Sequence, residues 1–209
     1  MFYTDRLMLR NFDEQADLNT MLQWLNDVDF LQALSSDARR PASRETAKAF
    51  VQTRMKNEGG QPCFVVCARP EDHLRPEKLA VGDDMFVADG KARYPMVGLL
   101  NIRNPNFSAT NRVTGLGIAL DKEHQGREYG AELLRWACDY MFNDLGLHRC
   151  ELEVAADNVR AMKCYEKVGF VVEGRQREAY LARGVWKDHV LMAMLEREWR
   201  EKQKQVPGS

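Results

Sequence analysis

The sequence lacks long hydrophobic runs, and no apolar stretch reaches the roughly 18 residues that cross a bilayer. Its first residues also lack the order of basic, apolar and small-residue regions that marks a signal peptide. We therefore expect a soluble, cytoplasmic protein with no membrane partner. An excess of one charge is lacking too, because the formal net charge is -1. This balance argues against nucleic acid as the main partner.

The sequence contains only five cysteines, an odd number. The five cysteines stand in apolar stretches, which is typical of reduced core thiols and not of a disulfide framework. Cys63 and Cys67, with His73 beyond them, follow no familiar zinc spacing. We therefore predict no metal.

The 209 residues, 44% of them hydrophobic, suffice for one good core. Hydrophobic patterns predict seven strands, at residues 7–10, 63–68, 96–102, 113–120, 150–155, 170–172 and 190–195. They also predict four helices, one capped by Asp13 or Asp17 and the others at residues 43–55, 128–145 and 158–167. Residues 69–95 indicate an inserted loop or ribbon. We expect a single α/β domain over residues 1–196 and a charged, frayed tail over 197–209.

The junction between the fourth predicted strand and the helix after it is the most informative segment. A glycine-containing turn that opens a helix aims several backbone N–H groups at one point, and the helix dipole adds partial positive charge there. Residues 124–130 (HQGREYG) form such a junction, which suits a phosphate group. The alternative is that the glycines only make the turn.

Motifs for nucleoside triphosphates and dinucleotides do not accompany this junction. The glycine-lysine-threonine ending of a P-loop does not occur. Gly115 and Gly117 resemble the start of a dinucleotide fingerprint, but Leu120 stands at its third glycine position and the pair belongs to a strand. The phosphate is therefore expected to come from another molecule.

Two segments carry a family resemblance. Residues 125–131 (QGREYGA) resemble the Q/R-x-x-G-x-G/A acetyl-CoA signature of the GCN5-related N-acetyltransferases, the GNAT family. Residues 158–170 (NVRAMKCYEKVGF) resemble the second hallmark of that family, at the usual distance downstream. Residues 4–10 (TDRLMLR) resemble the first strand of the branch that includes the ribosomal-protein alanine acetyltransferases, and residues 173–177 and 184–192 resemble its C-terminal strands.

The resemblance implies an α/β fold with a mixed, mostly antiparallel sheet of six or seven strands, flanked by four helices. It implies acetyl-CoA as co-substrate, between splayed strands four and five. The backbones of two strand residues would bind the pantetheine arm, the amides of residues 126–131 would cradle the diphosphate, and Gln125 would close the turn. The cofactor-binding residues implied in this way are Ile118, Leu120, Gln125, Gly126, Arg127, Glu128, Tyr129, Gly130, Ala131, Asn158 and Tyr165.

Glu128 departs from the family pattern, which has its first glycine at this position. A glutamate in the first turn of a helix favours the dipole, and its side chain can point to solvent while its N–H faces the ligand. The alternatives are weakened affinity for the cofactor or a domain that binds CoA without catalysis.

Asn158 and Tyr165 are seven residues apart, which places both on one side of a helix, about 10 Å apart along its axis. When an amine attacks a thioester, a thiolate leaves, and the Tyr165 hydroxyl can hydrogen-bond to its sulfur. The alternatives are that Tyr165 is a core aromatic residue and that Asn158 is an N-cap.

An attacking ammonium must also lose a proton. Glu151 and Glu153 share one face of the fifth predicted strand, and Glu153, nearer Asn158, is our candidate for the base. The alternative is that Glu153 is a solvated charge at the edge of the sheet. The histidines at 124, 148 and 189 rank below it, and direct transfer is preferred to an acyl intermediate on Cys164.

The sequence thus predicts an N-acetyltransferase that moves acetyl from acetyl-CoA to a primary amine of a protein N-terminus, a polyamine or a small molecule. The acceptor site would be walled by the first helices with residues 26–40 and by residues 180–186. A CoA-binding sensor without turnover is the main alternative, and a purely structural interaction domain is the third. Both a monomer and a homodimer are compatible with the sequence.

Overall fold

The computed structural model describes residues 1–34, 41–54, 62–69, 94–103 and 111–205. The chain divides into two compact units, Met1–Asn101 with Ile118–Tyr129 and Ile102–Gly117 with Gly130–Ser209. Most of the predicted insertion at 69–95 lies outside the described residues, as does the predicted end of the second helix at residue 55.

The described residues form eight strands and six helices, where the sequence predicted six or seven strands and four helices. The strands are β1 (Phe2–Tyr3), β2 (Leu7–Arg10), β3 (Cys63–Ala68), β4 (Met96–Arg103), β5 (Val113–Leu120), β6 (Arg149–Ala155), β7 (Val171–Ala182) and β8 (Val185–Leu195). The helices are α1 (Glu14–Trp24), α2 (Val28–Leu34), α3 (Arg44–Arg54), α4 (Tyr129–Asp139), α5 (Val159–Val168) and α6 (Glu196–Lys204). Within the described part of the chain, no helix is both long enough and apolar enough to cross a membrane.

The first unit contains the strands β1-β2-β3-β4, in that order. Neighbouring strands are antiparallel, with Leu9 opposite Val66 and Val65 opposite Leu99. One face of these strands packs against α1 and α3, and the core so formed includes Met8, Leu18, Met21, Ala47, Val51, Val65 and Leu99. All pairings within these four strands are therefore antiparallel, and the parallel pair that makes the sheet mixed, as the sequence predicted, is β5 with β6.

The start of α1 shows which of its two candidate caps is used. The Asp13 carboxylate accepts hydrogen bonds from the N–H groups of Gln15 and Ala16, both at 2.9 Å, which is the N-cap arrangement. Asp17 is instead paired with Arg10, with N···O distances of 2.5 and 2.7 Å. Both side chains of this pair are 1% exposed, so it is a buried ion pair in the first unit.

Helix α2 corrects the prediction of a continuous loop over residues 26–40. The Asp27 carboxylate accepts from the N–H groups of Asp29 and Phe30, and the Phe30 ring stacks on Trp24 at a centroid distance of 4.5 Å. The helix has only seven residues, about two turns, so its hydrophobic period is too short to separate from a loop by pattern.

The second unit contains β5 as far as Gly117, followed in the strand order by β6, β8 and β7. Strands β5 and β6 are parallel, β6 and β8 are antiparallel, and β7 and β8 form a hairpin. The hairpin turn is Arg183–Gly184, with φ of 49° and 79°, as a two-residue turn between twisted strands requires. The two hairpin strands are much longer than the predicted segments 170–172 and 190–195.

Two helical segments of the second unit also differ from the sequence prediction. The predicted helix 128–145 is an α-helix only to Asp139, and a π-helical turn, Tyr140–Asp144, follows. Tyr140 is half-buried and stacks on Trp136 at 5.2 Å. The sequence predicted a frayed tail from residue 197, but residues 197–204 belong to helix α6. The helix is held by Trp199, which is 2% exposed, and by a hydrogen bond from Lys202 to the Lys167 carbonyl.

Candidate active site

The turn after β5 is closed by hydrogen bonds at both ends. The side-chain amide of Gln125 donates to the carbonyl of Leu120 at 2.8 Å. The N–H of Asp121 donates to the Val97 carbonyl of β4, also at 2.8 Å. A short 3-10 turn, Lys122–His124, lies between these anchors. The chain therefore leaves β5 along a fixed path before it enters α4.

Gly126 and Glu128 have left-handed backbone conformations, with φ of 80° and 65°. Glycine adopts this conformation freely, whereas a residue with a Cβ pays about 1–2 kcal/mol. The position at which Glu128 replaces the glycine of the family pattern thus keeps the backbone of a glycine. The Glu128 side chain is exposed, and a Cβ added at Gly126 would meet no atom within 4 Å. The turn therefore offers the open backbone surface on which a diphosphate can sit.

Arg6 holds this turn from the start of the chain. One guanidinium nitrogen donates to the carbonyl of Arg127 at 2.9 Å, and the guanidinium carbon lies 5.0 Å from the centroid of the Tyr129 ring. Sequence reasoning assigned Arg6 to a strand-like motif and missed this contact, because nothing in a local pattern joins residues 121 positions apart.

Helix α4 begins at Tyr129, so the turn leads directly into its first turn. The N–H groups at a helix start have no acceptor within the helix, and the dipole makes this end partially positive. The helix is anchored by buried residues on one side, namely Ala131, Leu133, Leu134, Ala137 and Cys138. The donors at its start are therefore held on a rigid element.

In the second unit, Asn158 and Tyr165 both belong to α5 and its cap. The side-chain oxygen Oδ1 of Asn158 accepts a hydrogen bond from the N–H of Ala161 at 3.2 Å, so Asn158 is the N-cap. Tyr165 is 8% exposed and its ring packs edge-on against Phe170 at 5.9 Å. These contacts give both residues a structural role, which is the alternative that the sequence left open for each.

Glu153 lies on the exposed face of β6, between the buried side chains of Leu152 and Val154. Its side chain is 52% exposed, and one carboxylate oxygen is 3.7 Å from the Nδ1 of His189. The His189 ring stacks on Tyr180 at 4.6 Å. Glu151, the other carboxylate of this face, is instead in contact with Arg149 at 3.4 Å. Glu153 is thus the one of the two that has an imidazole beside it.

The hairpin beyond Glu153 is shaped by Asp188. Its carboxylate accepts from the N–H of Glu178 at 2.8 Å and from Arg175 at 2.6 Å. These bonds lower the pKa of Asp188 and fix the irregular stretch of β7 in which Glu178 has a φ of 52°. Trp186, in the segment predicted to wall the acceptor site, is 58% exposed.

Comparison with known proteins decides the family. The sequence model of the acetyltransferase (GNAT) domain matches residues 6–171. The chain belongs to the GNAT acetyltransferase family. The match contains β2 to α5 and the start of β7, so it covers both segments on which the sequence resemblance rests.

Curated relatives agree with this assignment. The chain is 41% identical over 80 residues to a probable N-acetyltransferase, YjcK, of Bacillus subtilis, covering 38% of this chain and 44% of the relative. It is 32% identical over 108 residues to a spermidine N(1)-acetyltransferase of Vibrio cholerae, covering 52% and 61%. An uncharacterised N-acetyltransferase, p20, of Bacillus licheniformis is 30% identical over 197 residues, covering 94% and 97%. The chain thus spans about half the length of the first two relatives and nearly all of p20.

A solved structure shows the same fold. The crystal structure of spermidine N-acetyltransferase from Vibrio cholerae in complex with CoA and spermine superposes with a TM-score of 0.72, at 24% identity. The match covers 94% of this chain and 99% of that one. The GNAT fold predicted from the two motifs is therefore confirmed.

Two features of the backbone around β5 bear on the GNAT resemblance. A Cβ added at Gly98 of β4 would lie 2.5 Å from the carbonyl oxygen of Ala119, so this glycine permits close approach beside Ile118 and Leu120. In the second unit, the parallel register of β5 with β6 runs from Val113 to Gly115 only. A Cβ added at Gly117 would meet no atom within 4 Å, which agrees with strands that part after their first residues.

Burial keeps at least two of the cysteines in the protonated form. None of the five cysteines, all of which are described, forms a disulfide. Burial raises the pKa of the Cys138 thiol to about 12 and that of Cys150 well above its ordinary value, so both stay protonated. Among the described residues, no group of three or more histidines, cysteines and carboxylates could hold a metal ion.

Proposed function

We propose that this GNAT protein transfers the acetyl group of acetyl-CoA to a primary amine, by direct transfer in a ternary complex. The observation that carries the proposal is the turn from Gln125 to Glu128, in which both Gly126 and Glu128 have a positive φ, a conformation that glycine adopts readily. The match of the GNAT domain over residues 6–171 supports it.

The residues present fit acetyl-CoA. The diphosphate would be held by backbone N–H groups of the turn and of the first turn of α4, from Gly126 to Ala131, where N–H donors and the helix dipole favour an anion. The pantetheine arm would be bound by the backbone of Ile118 and Leu120 at the end of β5. Asn158 and Tyr165 of α5 would line the groove for the thioester end.

The chemistry requires two proton-handling groups. Acetyl-CoA supplies an acetyl thioester, and attack by an amine on its carbonyl forms an amide and releases a thiol. Glu153 accepts a proton from the amine, directly or through a water molecule, and its exposure on β6 makes it accessible to an amine from solvent. The Tyr165 hydroxyl donates a hydrogen bond to the departing sulfur, which stabilises the charge that develops there.

The acceptor is a primary amine, for which polyamines and protein N-termini are the first candidates. The relative from Vibrio cholerae is named a spermidine acetyltransferase, and another relative, from Escherichia coli, acetylates the alanine of ribosomal protein uS5 according to its name. Within the second unit, residues 180–186 would line the acceptor site, since the Tyr180 ring stacks on His189, which lies beside Glu153. The exposed carboxylate of Glu153 suits a cationic acceptor better than an anionic one.

Two measurements test this proposal. Calorimetry with CoA is expected to give saturable binding at one site per chain. Thiol release from acetyl-CoA is expected when spermidine or a peptide with an N-terminal alanine is added. Binding without thiol release from a broad panel of amines would favour the CoA-binding sensor instead. Absence of any binding heat would leave only the structural interaction domain and would refute the proposal.

A further inference from the structure

We propose that Arg6 is a positioning residue for the diphosphate of CoA: its contact with the Arg127 carbonyl sets the direction of the N–H of Glu128. The inference deepens the proposed function, because it rests on the diphosphate binding at this turn. Arg6 precedes β2, and its side chain is half-buried. The contacts of Arg6 with Arg127 and Tyr129 lie within the first unit.

The peptide bond between Arg127 and Glu128 connects the Arg6 contact with the N–H of Glu128. The carbonyl of Arg127 and the N–H of Glu128 belong to the same peptide unit, and the described chain contains no cis peptide bond. In a trans peptide, the C=O and N–H bonds point in opposite directions. Because Arg6 donates to the carbonyl at 2.9 Å, the N–H of Glu128 is directed away from Arg6. The guanidinium therefore fixes a donor that it does not touch.

The left-handed backbone at Glu128 is energetically unfavourable for a residue with a Cβ. Glu128 has a φ of 65°, and a residue with a Cβ prefers to leave this region. A rotation of the 127–128 peptide would relieve the strain and turn the N–H of Glu128 elsewhere. The Arg6 guanidinium opposes that rotation because it binds the Arg127 carbonyl, and its place over the Tyr129 ring, at 5.0 Å, helps to hold the guanidinium there. A glycine at position 128 would need no such restraint. The contribution of Arg6 to the conformation of the turn is therefore larger in this chain, because glutamate stands where the family pattern has a glycine.

The test compares CoA with pantetheine, which lacks the diphosphate and the nucleotide. Calorimetry on the whole protein gives the ratio of the two dissociation constants for wild type, Arg6→Ala and Arg6→Lys. Arg44→Ala is the matched control, because Arg44 is also a surface arginine of the first unit and donates to Asn19 at 3.1 Å. We expect Arg6→Ala to weaken CoA binding about tenfold and to leave pantetheine binding unchanged. Arg6→Lys keeps the charge but not the planar fork, so an intermediate loss is expected.

Each outcome has one meaning. A preference for CoA over pantetheine that falls about tenfold in Arg6→Ala and is unchanged in Arg44→Ala supports the inference. A preference that Arg6→Ala keeps in full overturns it while leaving the proposed function intact. A partial loss in Arg6→Lys also supports the inference, because an ammonium can donate to the Arg127 carbonyl but lacks the planar fork; no loss in either variant overturns it. If wild type itself does not prefer CoA to pantetheine, the diphosphate site of the proposed function fails first. Thermal unfolding of each variant without ligand shows whether it is folded, and the lysine variant keeps the test usable if the alanine variant is not.

Discussion

Replacement of Glu128 tests the left-handed backbone on which the phosphate turn depends. Glu128→Gly and Glu128→Ala both remove the carboxylate, and they differ only in whether a Cβ remains at a φ of 65°. At an ordinary helical position, alanine is more stable than glycine by about 0.5–1 kcal/mol. At position 128 the order is expected to reverse.

The size of the reversal follows from two terms. The left-handed conformation costs a residue with a Cβ about 1–2 kcal/mol, whereas glycine loses about 0.5–1 kcal/mol more backbone entropy on folding. The glycine variant should therefore be more stable than the alanine variant by about 0.5–1 kcal/mol. Urea unfolding followed by circular dichroism measures the difference, and Arg135→Gly against Arg135→Ala on the exposed face of α4 is the control pair.

The Glu128→Gly and Glu128→Ala variants also relate the backbone conformation of the turn to the binding of CoA. Glu128→Gly keeps the N–H donor and removes a negative charge close to the proposed diphosphate site, so CoA should bind at least as tightly as it does to wild type. An alanine variant as stable as the glycine variant, alongside the usual preference for alanine at position 135, would refute the left-handed backbone and the phosphate turn derived from it.

Four other predictions concern the reaction and the stability of the fold. Tyr165→Phe should lower kcat at least tenfold and leave the Kd of CoA nearly unchanged; equal turnover would remove the tyrosine from the mechanism. Glu153→Gln should lower kcat without raising KM for acetyl-CoA, and unchanged kcat would return Glu153 to a surface charge. Asp17→Asn should destabilise the protein by about 3–5 kcal/mol in urea unfolding, because it leaves a buried guanidinium without its charge partner; a loss below about 1 kcal/mol would contradict this. Arg149 binds Glu173 and lowers the pKa of that carboxyl below its ordinary value, so the pair stabilises the fold above the ordinary pKa of glutamate and less as the pH falls through the lowered one; in urea unfolding at several pH values, Arg149→Met should lose this part of the acid dependence.

The sequence was most informative where a local pattern is long. The apolar runs of β3 and β5 and the amphipathic pattern of α5 place these elements within one or two residues of their observed bounds. Asn158 could be identified as an N-cap candidate because capping is decided within three residues of chain. The two motifs of the family were also local, and they were enough to predict the fold.

Other elements depend on contacts that no local pattern shows. The charge of α6 suggested fraying, but Trp199 is 2% exposed, and tertiary burial stabilises a helix more than its propensity does. Only the start of β7, within the predicted segment 170–172, shows a hydrophobic pattern. None of the first nine residues of the strand is buried, so the rest of β7 depends on its pairing with β8. The role of Arg6 at the turn could not be predicted either, because it comes from a contact between residues 121 positions apart.

A crystal structure of the protein with CoA tests the central claim most directly. We predict density for the diphosphate against the backbone N–H groups of residues 126–131, with the carbonyl of Arg127 still bound by Arg6. Density for the diphosphate at any other surface, or none at saturating CoA, would contradict the account.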